Sequence, residues 1–266
     1  MGWFDYFFMP AMPIIASKKF NNKRLDLVLV EMGIVKSRQR AISLIMSGNV
    51  YVTGEKVDKP GKVIKNKQII RIKKNDNPWV SRGGLKLSEA INNFKINVKN
   101  KVCADIGCST GGFSDVLLNN GAKKIFAIDV GYGQFDWRLR NSKKIILFER
   151  TNARYINSEI ITESLDLVVC DVSFISLKKV ILPFKKLLKK KYEMVALIKP
   201  QFEASKKLVG KKGIIRDEKI HSSIIEDINL WFIGNFSPDF VEIIDSPILG
   251  QKGNKEFLIY VKKTNH

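Results

Sequence analysis

Two carboxylates separated by a glycine-rich turn are the residues of this 266-residue chain whose types and spacing first suggest chemistry. In KVCADIGCSTGGFSDVLLNNGAKKIFAIDV, residues 101–130, Asp105 and Asp129 each close an apolar run of strand character, with Gly107, Gly111 and Gly112 between them. Glycines there let the backbone approach a ligand and leave amide donors at the start of the helical run GFSDVLL. An acid at the end of the following strand can accept both hydroxyls of a ribose. The spacing is DxGxxxGG rather than GxGxxG, and Asp105 would repel a pyrophosphate, so a dinucleotide fits poorly. A positively charged ribonucleoside fits better, and S-adenosylmethionine, a ribonucleoside with a sulfonium, has both features. Ser109 and Thr110 could donate to its carboxylate or, equally, cap the following helix. Phe113 reads either as packing beside the loop or, more simply, as core.

Such a loop acts where a parallel sheet reverses its strand order, at the carboxyl ends of the strands. From residue 85 to 266, apolar strand-like runs alternate with helical ones: KVCADIG, GGFSDVLLNNGA, KIFAIDV, LDLVVCDVSF, LKKVILPFKKLLKK, EMVALIKP and KIHSSIIEDINLWFIGN, then FVEIIDSP and KEFLIYVKK. That alternation predicts an α/β, Rossmann-like domain with a mostly parallel sheet covered on both faces and an antiparallel final pair. Residues 23–73 read as a small α+β domain. A helix over residues 25–32 stops at Gly33, a second runs from an N-cap at Ser37 to Gly48, and a hairpin turning at Thr53 and Gly54 precedes the strand QIIRIK. The cluster KKNDNPWVSRGG marks a break, with residues 74–84 as linker. Residues 1–22 read as a poorly ordered extension: apolar, yet too short to span a bilayer and broken by Pro10 and Pro13.

Lys and Arg number 46 against 26 Asp and Glu, a formal charge of +20. An excess of that size implies a polyanionic partner, nucleic acid or an anionic membrane surface, unless it reflects a lysine-rich coding bias. Cys103, Cys108 and Cys170 are odd in number and lack CxxC spacing, which suits a reducing cytoplasm and neither a disulfide framework nor a zinc site. With His221 read as a helix-surface residue and His266 terminal, there is no ligand set for metal catalysis.

The motifs WVSRGGLKL, DIGCSTGGFSD, CDVSFIS, LIKPQFE, GIIRD and SPILGQKGNKEFL are together specific, and the chain from residue 23 to 263 resembles the TlyA (haemolysin A) family of ribosomal RNA 2′-O-ribose methyltransferases. The resemblance implies an alpha-L RNA-binding domain followed by an FtsJ-type methyltransferase fold. It implies a Lys-Asp-Lys-Glu tetrad at Lys86, Asp171, Lys199 and Glu256, with Lys199 placed to abstract or stabilise the proton of a ribose 2′-hydroxyl, Asp171 to hold Lys199, and Lys86 and Glu256 to complete the charge network. It also implies S-adenosylmethionine contacts at Asp105, Gly107, Ser109, Thr110, Gly111, Gly112 and Asp129, with Asn152 near the adenine, and favours cytidine as target. The chain departs from the family at the linker, where Asn77 and Pro78 precede Trp79 in place of a basic residue two before the tryptophan. Arg24, Lys36, Ser37, Arg38 and Arg40 surround the second helix of the small domain, and Lys56 and Lys59 lie on its hairpin. They are the expected RNA contacts. Ribosomal RNA or a ribosomal subunit is then the expected partner, without stable membrane insertion. A membrane-active haemolysin and a non-catalytic RNA-binding assembly factor are the competing readings.

Overall fold

Gly33 and Gly48, both at φ near +70°, end the first two helices as expected, because only a residue without Cβ adopts that backbone cheaply. They belong to the first of two compact units of a computed structural model that describes residues 14–35, 37–72, 77–210, 213–250 and 253–264. The units are Met1–Pro78 and Trp79–His266.

In the first unit, strand β1 (Ile14–Ile15) and β2 (Lys23–Arg24) precede α1 (Leu25–Glu31) and α2 (Arg38–Met46), followed by β3 (Val50–Val52), β4 (Glu55–Val57), β5 (Val63–Ile64) and β6 (Ile69–Ile72). The sheet order is β1-β6-β3-β4, all antiparallel, with β2 paired to β5. Thr53 and Gly54, both at positive φ, form the two-residue turn between β3 and β4, the geometry that matches strand twist. The core is Leu25, Val28 and Leu29 of α1 and Ala41, Leu44 and Ile45 of α2, set against Val50, Val52, Ile64 and Ile70. The poorly ordered extension expected over residues 1–22 does not hold for residues 14–22. Ile14 and Ile15 pair with Ile70 and Ile69, and Ala16 is fully buried, so this segment is an edge strand of the small unit; residues 1–13 lie outside the described residues.

The second unit contains α3 (Gly83–Asn93), β7 (Val102–Ile106), α4 (Gly112–Asn119), β8 (Lys124–Ile128), α5 (Trp137–Arg140), β9 (Ile145–Phe148), β10 (Leu165–Cys170), α6 (Leu177–Ile181), β11 (Leu188–Ile198), α7 (Pro200–Glu203), α8 (Glu218–Phe236), β12 (Phe240–Asp245) and β13 (Phe257–Lys263). Its seven strands run β12-β13-β11-β10-β7-β8-β9. β9, β8, β7, β10 and β11 are parallel, while β13 is antiparallel to both β11 and β12, as the alternation predicted. Strand order reverses between β7 and β10: the chain leaves β7 through β8 and β9, then returns to β7's other side. One apolar cluster lies on each face of the sheet, and Cys103, Cys108 and Cys170 are free and buried.

Three local expectations fail for identifiable reasons. The run LKKVILPFKKLLKK is not one helix: α6 gives way to a 3-10 turn over Leu182–Leu187 with Pro183 near its start, and Leu188 already opens β11. Proline lacks the donor an α-helix interior needs. Of the expected linker, residues 79–84 belong to the second unit, where Asp115 of α4 accepts the Val80 backbone N–H at 2.9 Å; residues 74–76 lie outside the described residues. His221 is buried rather than superficial, edge-on to Phe257 with centroids 5.7 Å apart, because α8 turns that face onto the sheet.

Candidate active site

The β7 turn closes over the end of β8, with the Gly107 and Cys108 backbone N–H groups donating to Ile128 O at 2.8 and 3.2 Å. Gly107 is required twice over: its φ is +79°, and a Cβ there would stand 2.7 Å from the Asp171 carbonyl oxygen. Gly112 opens α4 where a Cβ would meet Ser81 Oγ at 2.3 Å, so α4 and residues 81–84 approach more closely than any side chain permits. Gly111 is the N-cap of α4, and neither Ser109 nor Thr110 caps the helix through its side chain. Phe113 is core.

Asp129, expected at a ribose, organises the turn as well. Its Oδ2 accepts the Ser109 backbone N–H at 2.8 Å and its Oδ1 accepts that of Gly131 at 2.7 Å. Each carboxylate oxygen has a further acceptor site, and the residue remains half-buried. Thr151 N donates to Asp129 O at 2.9 Å, which brings Asn152 alongside; Asn152 Oδ1 itself accepts from the backbone of Arg154 at 3.1 Å.

Asp105 departs from the expectation of a ligand-facing acid. It is 0% exposed, lies beneath the turn inside β7, and accepts the Ser114 hydroxyl at 2.6 Å on Oδ2, while Oδ1 has no partner in the protein. Burial raises its pKa to about 7, the Ser114 hydrogen bond opposing the shift. An unpartnered buried oxygen, a cradle that a Cβ would fill and a half-open acid at the next strand end are together what a cationic nucleoside requires, so these residues fit S-adenosylmethionine.

Across the reversal point, the four residues of the expected tetrad converge from four elements. Asp171 follows β10 and is tied to β7 by its N–H to Ile106 O at 3.0 Å; Lys199 follows β11; Lys86 rises from α3; Glu256 precedes β13. Glu256 Oε2 lies 2.7 Å from Lys86 Nζ, which lies 3.3 Å from Asp171 Oδ2, and Asp171 Oδ1 lies 2.5 Å from Lys199 Nζ. Lys199 Nζ also donates to Ser173 Oγ at 2.9 Å. Lys86, Lys199 and Glu256 are all buried. Two cations and two anions alternate in one line, so each desolvated charge has an opposite neighbour and the set is neutral.

Sequence reasoning passed over two residues of CDVSFIS. Ser173 is the second acceptor for Lys199. Phe174 holds φ +66°, is 88% exposed and rests against Phe202 with centroids 5.0 Å apart. A bulky residue in that backbone region is strained, and an exposed ring beside a buried charge network is what a stacking surface looks like. Neither signal exists in the sequence alone.

In the first unit, Arg24 and Arg38 converge on Asp26: Arg24 Nε lies 3.0 Å from its Oδ1, and Arg38 Nε 2.9 Å from its Oδ2. The Arg24 hydrogen bond first, and that of Arg38, hold the buried Asp26 carboxyl below its usual pKa. Both arginine side chains stay about half exposed, at 48% and 53%. Ser37 Oγ accepts from Arg40 N at 3.3 Å and caps α2, and Arg40 points to solvent. Lys56 and Lys59 line a shallow groove with Lys62. Lys36 lies outside the described residues.

Residues 79–263 match the family model of FtsJ-like methyltransferases, and residues 23–70 match the S4 domain. The chain is 38% identical over 242 residues to the 16S/23S rRNA (cytidine-2'-O)-methyltransferase TlyA of Mycobacterium tuberculosis, 90% of this chain and 89% of the relative. It is 41% identical over 239 residues to Hemolysin A of Brachyspira hyodysenteriae, 89% and 98% of the two chains. A solved structure of a candidate hemolysin from Streptococcus thermophilus superposes with a TM-score of 0.70 at 37% identity, covering 92% of this chain and 90% of that one. By its methyltransferase fold, its charge network and these matches, the chain belongs to the FtsJ-like methyltransferase family, with an S4 domain ahead of the catalytic fold.

Proposed function

We propose that this protein transfers a methyl group from S-adenosylmethionine to a ribose 2′-hydroxyl of ribosomal RNA, at a cytidine. The observation that carries the reading is the alternating line Glu256, Lys86, Asp171, Lys199 at the strand-order reversal, with the Asp171 carbonyl packed against Gly107 of the glycine loop. The activity named for the Mycobacterium tuberculosis relative supports the substrate, and the S4 domain supports RNA as partner.

The bound cofactor supplies an electrophilic methyl. Asp129 would accept the ribose hydroxyls, and the donors of the turn, Ser109, Thr110 and the amides from Gly111 onward, would face its carboxylate. Asp105, beneath, would offer its unpartnered Oδ1 to the amino group or to an ordered water. A ribose hydroxyl is a weak nucleophile at neutral pH, so the protein must take up its proton or stabilise the oxygen as it becomes negative. Lys199 is the group for that step. Asp171 and Ser173 fix its Nζ in two directions, leaving the third for the 2′-oxygen. Lys86, held between two carboxylates, keeps Asp171 from collapsing onto another partner. Phe174 offers a face on which the base of an extruded nucleotide can stack.

Arg24, Arg38, Arg40, Lys56 and Lys59 of the S4 domain would grip phosphates. Among the described residues no helix is long and apolar enough to cross a membrane, and a ribosomal RNA substrate would place the enzyme in the cytoplasm. The test is mass-spectrometric mapping of ribose methylation on ribosomal RNA incubated with protein and S-adenosylmethionine. A new 2′-O-methylcytidine supports the proposal; binding without methylation would leave an assembly factor.

A further inference from the structure

The edge of the seven-stranded sheet opposite the candidate site carries charge that the proposed chemistry does not use. Nearly every parallel strand begins in lysine: Lys101 precedes β7, Lys123 and Lys124 begin the β8 run, Lys143 and Lys144 precede β9, and Lys189, Lys190 and Lys191 sit at the start of β11. Antiparallel β13 brings its end, Lys262 and Lys263, to the same edge, where Lys263 pairs with Tyr192 and Lys262 with Glu193.

The acids there are already taken. Glu163 is bound by Lys124, Asp166 by Lys189 at 2.8 Å, Glu193 by Lys101 and Asp239 by Lys263 at 3.3 Å. Lys123, Lys143, Lys144, Lys190, Lys191 and Lys262 have no ion-pair partner among the described residues, and all but Lys262 are exposed. Strand order sets them along one edge of the sheet. Glu163 feels Lys124, Lys123 and Lys189 together, and Lys101, its pKa lowered chiefly by burial, is pushed the same way by Lys262.

The backbone itself accommodates the lysines. Leu165 pairs with Leu188, but Leu167 pairs with Glu193, so β11 bulges between these points and carries Lys189, Lys190 and Lys191 out of register with β10. Bulges of this kind re-aim side chains. A fold gains nothing by setting like charges side by side at strand spacing, where they repel, unless an anion offsets the repulsion. From β13 to β9 the edge crosses six strands, roughly 24 Å at about 4.8 Å per strand, enough for several consecutive phosphates.

We infer that this lysine edge is a second RNA-backbone-binding surface, separate from the S4 domain and remote from the strand ends that carry the tetrad. The choice of RNA over another polyanion rests on the proposed function. The patch is predominantly lysine, with Phe240 opposite Lys262 at its end and Tyr192 buried, which suits phosphates more than bases. It would let the enzyme hold a second stretch of a large folded RNA while the tetrad works on the first.

The test is the full-length variant Lys123→Gln, Lys143→Gln, Lys144→Gln, Lys190→Gln, Lys191→Gln, with filter binding to protein-free ribosomal RNA over a range of salt. At about 0.7–0.9 per lost contact, the slope of log affinity against log salt should flatten by roughly 2 or more, and the five Lys→Arg substitutions should keep the parent slope. S-adenosylmethionine affinity should be unchanged, which shows the variant is folded. A parent slope that survives the five Gln substitutions overturns the inference. So does a variant that loses binding to phosphatidylglycerol vesicles while its RNA slope is intact, because the edge would then face a membrane. Failure of the parent protein to bind or methylate ribosomal RNA would instead overturn the proposed function.

Discussion

Lys86 Nζ bridges Glu256 and Asp171 at 2.7 and 3.3 Å, so a residue on the first helix of the catalytic unit joins the ends of β10 and β13. All three side chains are largely shielded from water. Replacing Lys86 by Met strips the buried Glu256 of its cation, while Asp171 keeps Lys199. Stability to urea should fall by about 3–5 kcal/mol, the usual consequence of stripping one partner from a buried pair. Lys86→Met with Glu256→Gln should recover part of that loss, and a double-mutant cycle measures how much.

Asp129 has two tasks, so its substitution reads differently from that of a residue that only touches ligand. Asp129→Ala removes a charged acceptor for ribose and frees the Ser109 and Gly131 amides that shape the turn. A charge-assisted hydrogen bond is worth about 1.5–3 kcal/mol, so S-adenosylmethionine affinity should fall roughly 10- to 150-fold by calorimetric titration. Unchanged affinity would remove Asp129 from the binding site.

Asp105 makes a prediction about pH. Its pKa in the folded protein is about 7, above the ordinary carboxyl value of 3.8, so between these values the folded protein holds a proton that the unfolded chain has released. The contribution is therefore complete below about pH 4 and is lost as pH rises through about 7. Asp105→Asn has no such proton to lose. The variant's melting temperature relative to the parent should rise from pH 5 to about pH 7 and level off above it in a paired thermal scan. A constant difference would mean that Asp105 stays ionised in the fold.

How far the sequence was legible depends on the kind of signal. Periodicity and turn residues revealed both domains, the parallel sheet and the antiparallel end: glycine marks positive-φ backbone at Gly33, Gly48 and Gly54, and strand-like runs alternating with helical ones mark a parallel sheet. The tetrad positions were readable through family resemblance. Their distances were not, since Lys86 and Glu256 are 170 residues apart and meet only through sheet order. Burial was the weakest inference. Asp105 looked like a ligand-facing acid and lies beneath the turn, while His221 looked superficial and packs on Phe257, because the face an element turns inward depends on what packs against it. Arg24 and Arg38 read as independent RNA contacts, yet both anchor on Asp26.

That shared anchor separates two arginines that the sequence treats alike. Arg38→Ala removes an ion pair to a buried carboxylate as well as a phosphate contact, so it should lower both melting temperature and RNA affinity. Arg40 has no ion-pair partner among the described residues, and its side chain is exposed. Arg40→Ala should weaken RNA binding with a melting temperature within a degree or two of the parent. Filter binding and a thermal scan on the same preparations distinguish the two.

Lys199→Ala should abolish methyl transfer while leaving S-adenosylmethionine and RNA affinities within a few-fold of the parent. Its Nζ is held by Asp171 and Ser173 rather than by any group that shapes the cofactor turn, so its removal need not disturb ground-state binding. What is lost is the cation or proton acceptor opposite an oxygen that becomes negative only as the methyl is transferred, an interaction made in the transition state alone. Acid-base assistance contributes about 10²–10⁴-fold, and loss of a preorganised charge adds to that. Lys199→Arg should not restore activity, because guanidinium keeps its proton in proteins and its planar fork cannot meet Asp171, Ser173 and a third acceptor at the angles an ammonium offers. Ser173→Ala, which removes one support and leaves the ammonium, should cost less than Lys199→Ala and should lower the single-turnover rate without changing either affinity. Single-turnover transfer at saturating RNA and cofactor measures all three. If Lys199→Ala kept more than about a tenth of the parental rate, Lys199 would be only an ion-pair partner for Asp171, and the 2′-oxygen would have to be activated by another group.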